Sequence, residues 1–467
     1  MQLPSWIHDR RSVLALFALA WVISRCGILY SVDPDESDVE LYFRYAVQGV
    51  DNHQVPYRDF TVEYPPVAYW FIALPRWIDA SPVPAGTFDH PLKESAAFHR
   101  YGYLYEGQAV ICDLLAFVLL LAMARRRWPE HLIPLGVGYL AVTTFLWPVM
   151  FTRLDIGLTA LLMGWAWLWL KAGDGSASAG RSRLASYAVL GLSISFKLIP
   201  VLMTPFLLLA ELRSPRPWRQ TAQAVLVLAT SALVPFAIHL PSAGADVGKL
   251  FSYHGQRGIQ VESLYASVLA LSTAMPLELE LSFGSWNVVT DWTPALKHCS
   301  TLLLLAFLAA LGLWSLFEGR RFTRERAFCA ACLALGGAVI LAKVLSPQYF
   351  VWALPVMLIL SAQVLPPRWT NCWLAAAGMM AVARTTTWIF PHHYGQLLDT
   401  HLWRAPWLVL AARNAVYLLL TAWLATRWLA TSGPVHLPNL VALWQRRRVY
   451  RLVRRLPTLG PPAASGG

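Results

Sequence analysis

Charge is what this chain has least of. Of its 467 residues only 14% are Asp, Glu, Lys or Arg, against about 25% in soluble domains. With 57% hydrophobic residues, that scarcity argues against an ordinary soluble protein and for a membrane composition. No internal repeat of the kind found in many secondary transporters is visible. No Gly-rich nucleotide loop and no soluble stretch to carry one are present. The six cysteines, Cys26, Cys112, Cys299, Cys329, Cys332 and Cys372, lie in or beside apolar runs and show no disulfide framework. Cys329 and Cys332 have CxxC spacing in an Ala/Leu-rich stretch without partner ligands, which reads as packing. His392 and His393 are adjacent with no third ligand nearby, so no metal site is expected there.

What the chain does have is apolar runs punctuated by arginine. A spanning helix needs about 20 mostly apolar residues, fewer where the membrane is thin. Twelve spans are predicted near 12–31, 107–124, 131–151, 155–171, 184–196, 198–212, 220–240, 295–317, 327–345, 349–365, 371–390 and 404–430. The pair 184–196 and 198–212 is short and suits a kinked hairpin. The first run is too long for a signal-peptide core and lacks a cleavage pattern, so it reads as a retained helix. The 22 Trp and 17 Tyr suit the aromatic belts of a bilayer interface.

The net charge of +12 falls in short clusters between these runs, which excludes a nucleic-acid partner in favour of the positive-inside rule. Arg10 and Arg11 place the N-terminus in the cytoplasm. Counting forward, Arg125–Arg127, then Lys171, Arg181 and Arg183, then Arg213, Arg216 and Arg219 fall on that same side. So do Arg320, Arg321, Arg324 and Arg326, then Arg368, and finally Arg446–Arg448, Arg451, Arg454 and Arg455. Both termini are therefore expected in the cytoplasm, with residues 456–467 a disordered tail. The opposite face receives two long loops, 32–106 and 241–294. Within the first, residues 65–78 are apolar but too short to cross, and an interfacial helix is expected.

The polar residues near the external face carry the functional question. Asp33, Asp35, Glu36, Asp38 and Glu40 crowd the start of the first loop. Carboxylates beside lipid are costly and often mark a site, although a solvated helix start, where the dipole favours acids, is the plainer alternative. On a short helix there, Asp38, Tyr42 and Tyr45 share one face. Arg153 and Asp155 open a span, either as an edge ion pair or as a site wall. Lys197 stands alone before Pro200, either snorkelling or holding a phosphate. Asp113, deep in a span, is expected to be hydrogen-bonded within the bundle. His254, Arg257, Gln260 and Glu262 fall within ten residues of the second loop, and Gln348 and Tyr349 follow Lys343 at another external junction.

Together these pieces resemble the first-loop and later signatures of the glycosyltransferase 87 family. The matching residues are Asp38, Tyr42, Gly49, Pro56-Tyr57-Arg58-Asp59-Phe60, Tyr64-Pro65-Pro66, Arg153-Leu154-Asp155, Phe196-Lys197-Leu198-Ile199-Pro200, His254–Ser263 and Ser346-Pro347-Gln348-Tyr349. The resemblance spans roughly residues 38–355 in the family's order. It implies an all-α polytopic membrane protein: one GT-C-type domain over residues 1–455, with about 12 transmembrane helices and interfacial helices in the first loop. It further implies a bacterial inner-membrane mannosyltransferase using a polyprenyl-phosphate sugar, with its active site on the external face and Asp38 as the essential carboxylate.

Mechanistically, a carboxylate base would activate the acceptor hydroxyl for a single inverting displacement. The leaving lipid phosphate needs cations, for which Arg257, Lys197 and His254 are the candidates, with Arg58 and Lys343 in reserve. Tyr64, Arg58, Arg153, Asp155, Gln260, Glu262, Gln348 and Tyr349 are candidate substrate contacts. No cofactor is implied. A glycolipid, a polysaccharide and a protein are all open as acceptor. A lipid-linked glycan flippase using intramembrane charges such as Asp113 and Arg413, and a glycan polymerase or ligase, are the alternative readings.

Overall fold

The computed structural model describes residues 10–31, 38–84, 87–88, 92–175, 178–273, 277–366, 369–399 and 404–431. Asp33, Asp35, Glu36, Arg368 and the C-terminal basic tail lie outside the described residues. The chain opens with α1 (Arg10–Ser31), then α2 (Val39–Ala46) and α3 (Pro66–Ile78) in the first long loop, and α4 (Ala96–Arg127). Next come α5 (Leu132–Phe145), the short α6 (Trp147–Met150), α7 (Asp155–Ala172), α8 (Ala179–Phe196), α9 (Thr204–Leu212) and α10 (Pro217–Ala243). The second long loop holds α11 (Lys249–Gln256), β1 (Ile259–Gln260), α12 (Leu264–Ser272), β2 (Glu278–Ser282) and β3 (Ser285–Val289). The chain closes with α13 (Thr293–Phe317), α14 (Arg324–Leu341), α15 (Tyr349–Val364), α16 (Trp369–Thr387), α17 (Tyr394–Leu398) and α18 (Arg404–Ala430).

Every apolar run predicted from the sequence coincides with a helix or a helix pair. Among the described residues, five helical stretches are long and apolar enough to cross a bilayer: Arg11–Ser31, Ala96–Arg127, Pro217–Tyr253, Thr293–Phe317 and Ala405–Ala430. The protein is thus a polytopic helical membrane protein. The run at 107–124 belongs to a longer helix that starts at Ala96, where the Ser95 hydroxyl accepts the Phe98 N–H at 3.4 Å as an N-cap. The pair 184–196 and 198–212 is broken at Lys197, which adopts an extended backbone after α8. A 3-10 turn over Ile199–Met203 then leads into α9.

The centre of the bundle is α14 and α15, in which nearly every side chain is buried. A helix apolar on all sides belongs inside. Small residues on α14 let its neighbours approach: a Cβ on Gly337 would lie 2.2 Å from the Phe307 ring of α13. The outer helices α1, α10 and α13 instead expose leucines and isoleucines such as Leu19, Ile23, Leu226, Ile238, Leu302 and Leu305, as lipid-facing surfaces do. All six cysteines are free thiols, and Cys329 and Cys332 are buried in α14.

Two buried arginines are closed into ion pairs. Arg25 of α1 forks onto Asp113 of α4 at 2.7 and 3.0 Å, and Trp21 and Tyr139 donate to the same carboxylate at 2.7 and 2.8 Å. Asp113 is therefore hydrogen-bonded in the bundle, as expected. Arg413 of α18 meets Glu262 at 2.6 Å with both side chains wholly buried, and Asn414 donates to the Glu262 carbonyl at 3.1 Å.

Four of the basic clusters, those of Arg127, Arg183, Arg213 and Arg324, are linked through shared partners. Arg127 reaches Asp174 and Glu325, Glu211 joins Arg183 to Arg324, and Arg213 donates to the Ser315 carbonyl. The second loop adds a feature to the helical plan, a small antiparallel sheet in the order β1-β3-β2. Its hairpin turns at Phe283 and Gly284, both with positive φ, the backbone a two-residue type I′ turn requires.

Candidate active site

The first loop folds around tyrosines. Tyr42 on α2 is buried against Tyr64 and Tyr105, with ring centroids 5.8 and 5.3 Å away. The Tyr57 hydroxyl donates to the Tyr64 carbonyl at 2.9 Å. Pro65 is extended and Pro66 opens α3 at its first position, where a missing N–H costs nothing. Gly49 passes directly beneath the Tyr69 hydroxyl, and a Cβ there would sit 1.8 Å from that oxygen. These contacts fix the start of α2, where Asp38 occupies the N-cap position without its side chain capping the helix. Its carboxylate is ion-paired with Arg153 instead.

Asp38 lines a cavity of about 350 Å³ together with Glu63, Tyr64, Lys197, Arg257, Gln260, Gln348 and Tyr349. Four separate segments meet here: the first loop, the break after α8, the second loop, and the junction before α15. The turn of the β2–β3 hairpin, Phe283-Gly284-Ser285, forms a further wall. The Leu198 and Ile199 side chains supply an apolar wall, and Val201, one turn on, is exposed.

The charges in and under the cavity are not equivalent. Lys197 Nζ contacts Asp155 Oδ1 at 2.5 Å and lies 4.5 Å from the Tyr349 ring centroid. Trp352 Nε1 donates to the same Asp155 oxygen at 2.8 Å. Lys197 is thus positioned, and partly neutralised, from below. Arg257 has no carboxylate within ion-pair distance among the described residues, and its buried Nε lacks a hydrogen-bond partner there. Lys343 stands nearby and donates to the Gly255 carbonyl at 2.8 Å. Burial lowers its ammonium pKa, and the like charges of Lys297 and Arg257 lower it further. Burial also holds the Arg153 guanidinium down, at about 10, against the opposing pull of Asp155.

Neutral donors and acceptors complete the wall. Gln260 is buried, its N–H donates to the Lys343 carbonyl at 3.0 Å, and its side-chain oxygen has no partner among the described residues. Such an oxygen is costly to leave unpaired, and it suits a ligand hydroxyl. Gln348 is steadied by the Ser346 hydroxyl. The arrangement offers two carboxylates, the ion-paired Asp38 and Glu63, a guanidinium with no ion pair among the described residues, a second cation and several polar groups, all against an apolar wall. That is enough for a proton acceptor, an anion cradle and hydroxyl recognition in one space.

Other sequence candidates fall outside the cavity lining. Arg153 and Asp155 hold cavity residues rather than lining the space themselves. Arg58 is half exposed, forked onto Asp59 at 2.8 and 3.1 Å and bonded to the Ser242 carbonyl at 3.1 Å. Glu262 is closed against Arg413; burial raises its carboxyl pKa and Arg413 pulls it back down. The His254 side chain lies outside the described atoms. His393 is engaged locally, stacked on Trp388 and bonded to its carbonyl at 2.7 Å. Among the described residues, no group of three His, Cys, Asp or Glu side chains forms a metal-ligand cluster.

Sequence reading noted Glu63 in the carboxylate-rich first loop but gave it no site role, and it overlooked Trp352 and the hairpin turn. Glu63 sits one residue before Tyr64, and its charge beside an apolar segment was the available signal. The alternation of Leu277, Leu279 and Leu281 with Glu278 and Glu280 was the strand signal. No protein-family model matches the chain, and no curated protein matches it. Among solved structures it is similar to the crystal structure of ArnT from Cupriavidus metallidurans bound to undecaprenyl phosphate. The two share 16% identity at a TM-score of 0.37, over 90% of this chain and 78% of that one.

Proposed function

We propose that this chain is a membrane glycosyltransferase of the GT-C type that moves a sugar, mannose by its sequence resemblance, from a polyprenyl-phosphate donor to an acceptor hydroxyl in the Asp38 cavity. The observation that carries this reading is the meeting of Asp38, Tyr64, Lys197, Arg257, Gln260, Gln348 and Tyr349 around one space. These residues come from four segments that are far apart in the chain.

In this scheme the acceptor hydroxyl gives its proton to Asp38 as its oxygen bonds to the anomeric carbon. The bond from that carbon to the phosphate oxygen breaks, and the lipid phosphate leaves with the electron pair. Arg257 is the first partner for that growing negative charge, because no carboxylate occupies it, and Lys197 is the second. A phosphate leaving group needs no general acid, so one carboxylate suffices and the anomeric centre inverts. Gln260, Gln348, Tyr349 and Tyr64 bind sugar hydroxyls. The polyprenyl chain leaves past Leu198 and Ile199 toward lipid. The flippase reading is weakened because Asp113 and Arg413, the charges it relies on, are each locked in a buried pair.

The test is transfer of label from radiolabelled polyprenyl-phosphate-mannose to a membrane glycolipid extract by purified protein in lipid. Asp38→Asn should lower transfer by about 10²–10⁴-fold while leaving donor binding intact. Full activity in a folded Asn variant would remove Asp38 from the base role. Absence of transfer with several lipid-linked sugars would overturn the class.

A further inference from the structure

We propose a second site, for a phosphate group, at the end of the bundle opposite the Asp38 cavity. Helices α7 and α8 run from one end to the other, each 18 residues long, or roughly 27 Å at 1.5 Å per residue. Asp155 and Lys197 mark the cavity end, and Ala172 and Ala179 the other. A cavity of about 470 Å³ opens there, lined by Arg183, Arg213, Arg320, Arg324, Glu211 and Ser214 among others.

The charge does not balance. Four guanidinium groups face one carboxylate among the lining residues. Glu211 is buried and already shared, accepting from Arg183 at 3.1 Å and from Arg324 at 3.1 Å. Arg213 spends its donors on the Ser315 and Leu316 carbonyls at 2.9 and 3.2 Å, which hold it in place without neutralising it. Arg320 stands exposed at the rim.

Arg324 and Arg213 are held against aromatic rings. Arg324 lies 3.5 Å from the Trp169 ring centroid and donates to the Trp169 carbonyl at 3.2 Å. Arg213 lies 5.1 Å from the Phe322 ring centroid. The buried Arg324 Nη2 and the buried Ser214 hydroxyl have no partner among the described residues. The first turns of α8, at Ala179 and Gly180, and of α14, at Arg324, also border the cavity. Their N–H groups add partial positive charge.

A rigid positive excess with unused donors fits a phosphate, whose oxygens match the guanidinium fork. Exposed Leu212, Leu316 and Phe317 flank the site, which suits the phosphate of an anionic lipid headgroup; free phosphate offers the same chemistry. The site stands apart from the transfer reaction and does not depend on it.

Native mass spectrometry of the purified full chain with dioctanoyl phosphatidylglycerol, and calorimetry with inorganic phosphate, test this. Saturable binding of the lipid should weaken at least tenfold in Arg213→Gln/Arg320→Gln and stay within twofold in the charge-matched control Arg100→Gln/Lys249→Gln. Ser214→Glu, which places a carboxylate among the arginines, should weaken binding as much and raise the thermal midpoint in phosphate-free buffer. Inorganic phosphate binding at the same site would name a soluble anion as the source; lipid binding alone would name the headgroup. Unchanged affinity in both the double variant and Ser214→Glu, or no saturable binding of either probe, would overturn the proposal.

Discussion

Arg153 holds Asp38. The two side chains form an ion pair between the start of α2 and the turn before α7, so the carboxylate is aimed by a residue more than a hundred positions away. Because the Asp38 side chain does not cap its own helix, this pairing alone among the described contacts orients it.

Replacing Arg153 should therefore act through Asp38. Arg153→Met is expected to lower kcat by about 10²-fold, the scale of a misplaced catalytic group, with little change in KM for the lipid donor. Arg153→Lys should recover part of the loss. A steady-state comparison of the three proteins checks this; an unchanged kcat in Arg153→Met would mean Asp38 needs no such support.

The lowered pKa of Lys343 makes a prediction about pH. In the free protein its ammonium form is disfavoured by burial and by Lys297 and Arg257. A bound lipid phosphate favours the charged form, so binding takes up a proton where Lys343 is already neutral. Affinity for a short-chain polyprenyl phosphate should thus decline with rising pH below the ordinary lysine value of about 10.4. The loss of one charged contact corresponds to roughly tenfold in Kd. Lys343→Met should bind more weakly at neutral pH and show a flatter profile between pH 7 and 10. An identical profile in the variant would assign the titration elsewhere.

The Arg25–Asp113 pair is a structural element, and breaking one side strands a buried charge. Asp113→Ala is expected to cost about 3–5 kcal/mol, read as a lower unfolding midpoint in detergent. If the variant keeps its midpoint, the pair contributes little to holding α1 on α4.

Gly49 and Tyr69 should couple. Gly49→Ala forces its methyl against the Tyr69 hydroxyl and should cost about 1–3 kcal/mol, as overpacking does. Tyr69→Phe removes the offending oxygen and leaves the nearest ring carbon 3.1 Å away, so the double variant should recover much of the loss. Additive losses in the double variant would show that the clash is not the cause.

The sequence alone determined the membrane class and the position of the helical runs, and it grouped the arginines into short clusters between those runs. Those properties follow from local composition: about twenty apolar residues make a span, and clustered arginine resists burial in lipid. It also singled out Asp38, Lys197, Arg257, Gln260, Gln348 and Tyr349, because polar groups are rare beside apolar runs and stand out one by one. Only the tertiary structure decided which of these polar groups meet. It put Asp155 under Lys197 and Arg153 beside Asp38, sent Glu262 to Arg413 and Arg58 to Asp59, and brought Glu63 and the Phe283-Gly284 turn to the cavity. Ion pairing is chosen by distance in space. A carboxylate reads the same in sequence whether its arginine is adjacent, as for Asp59 and Arg58, or on a distant helix, as for Glu262 and Arg413.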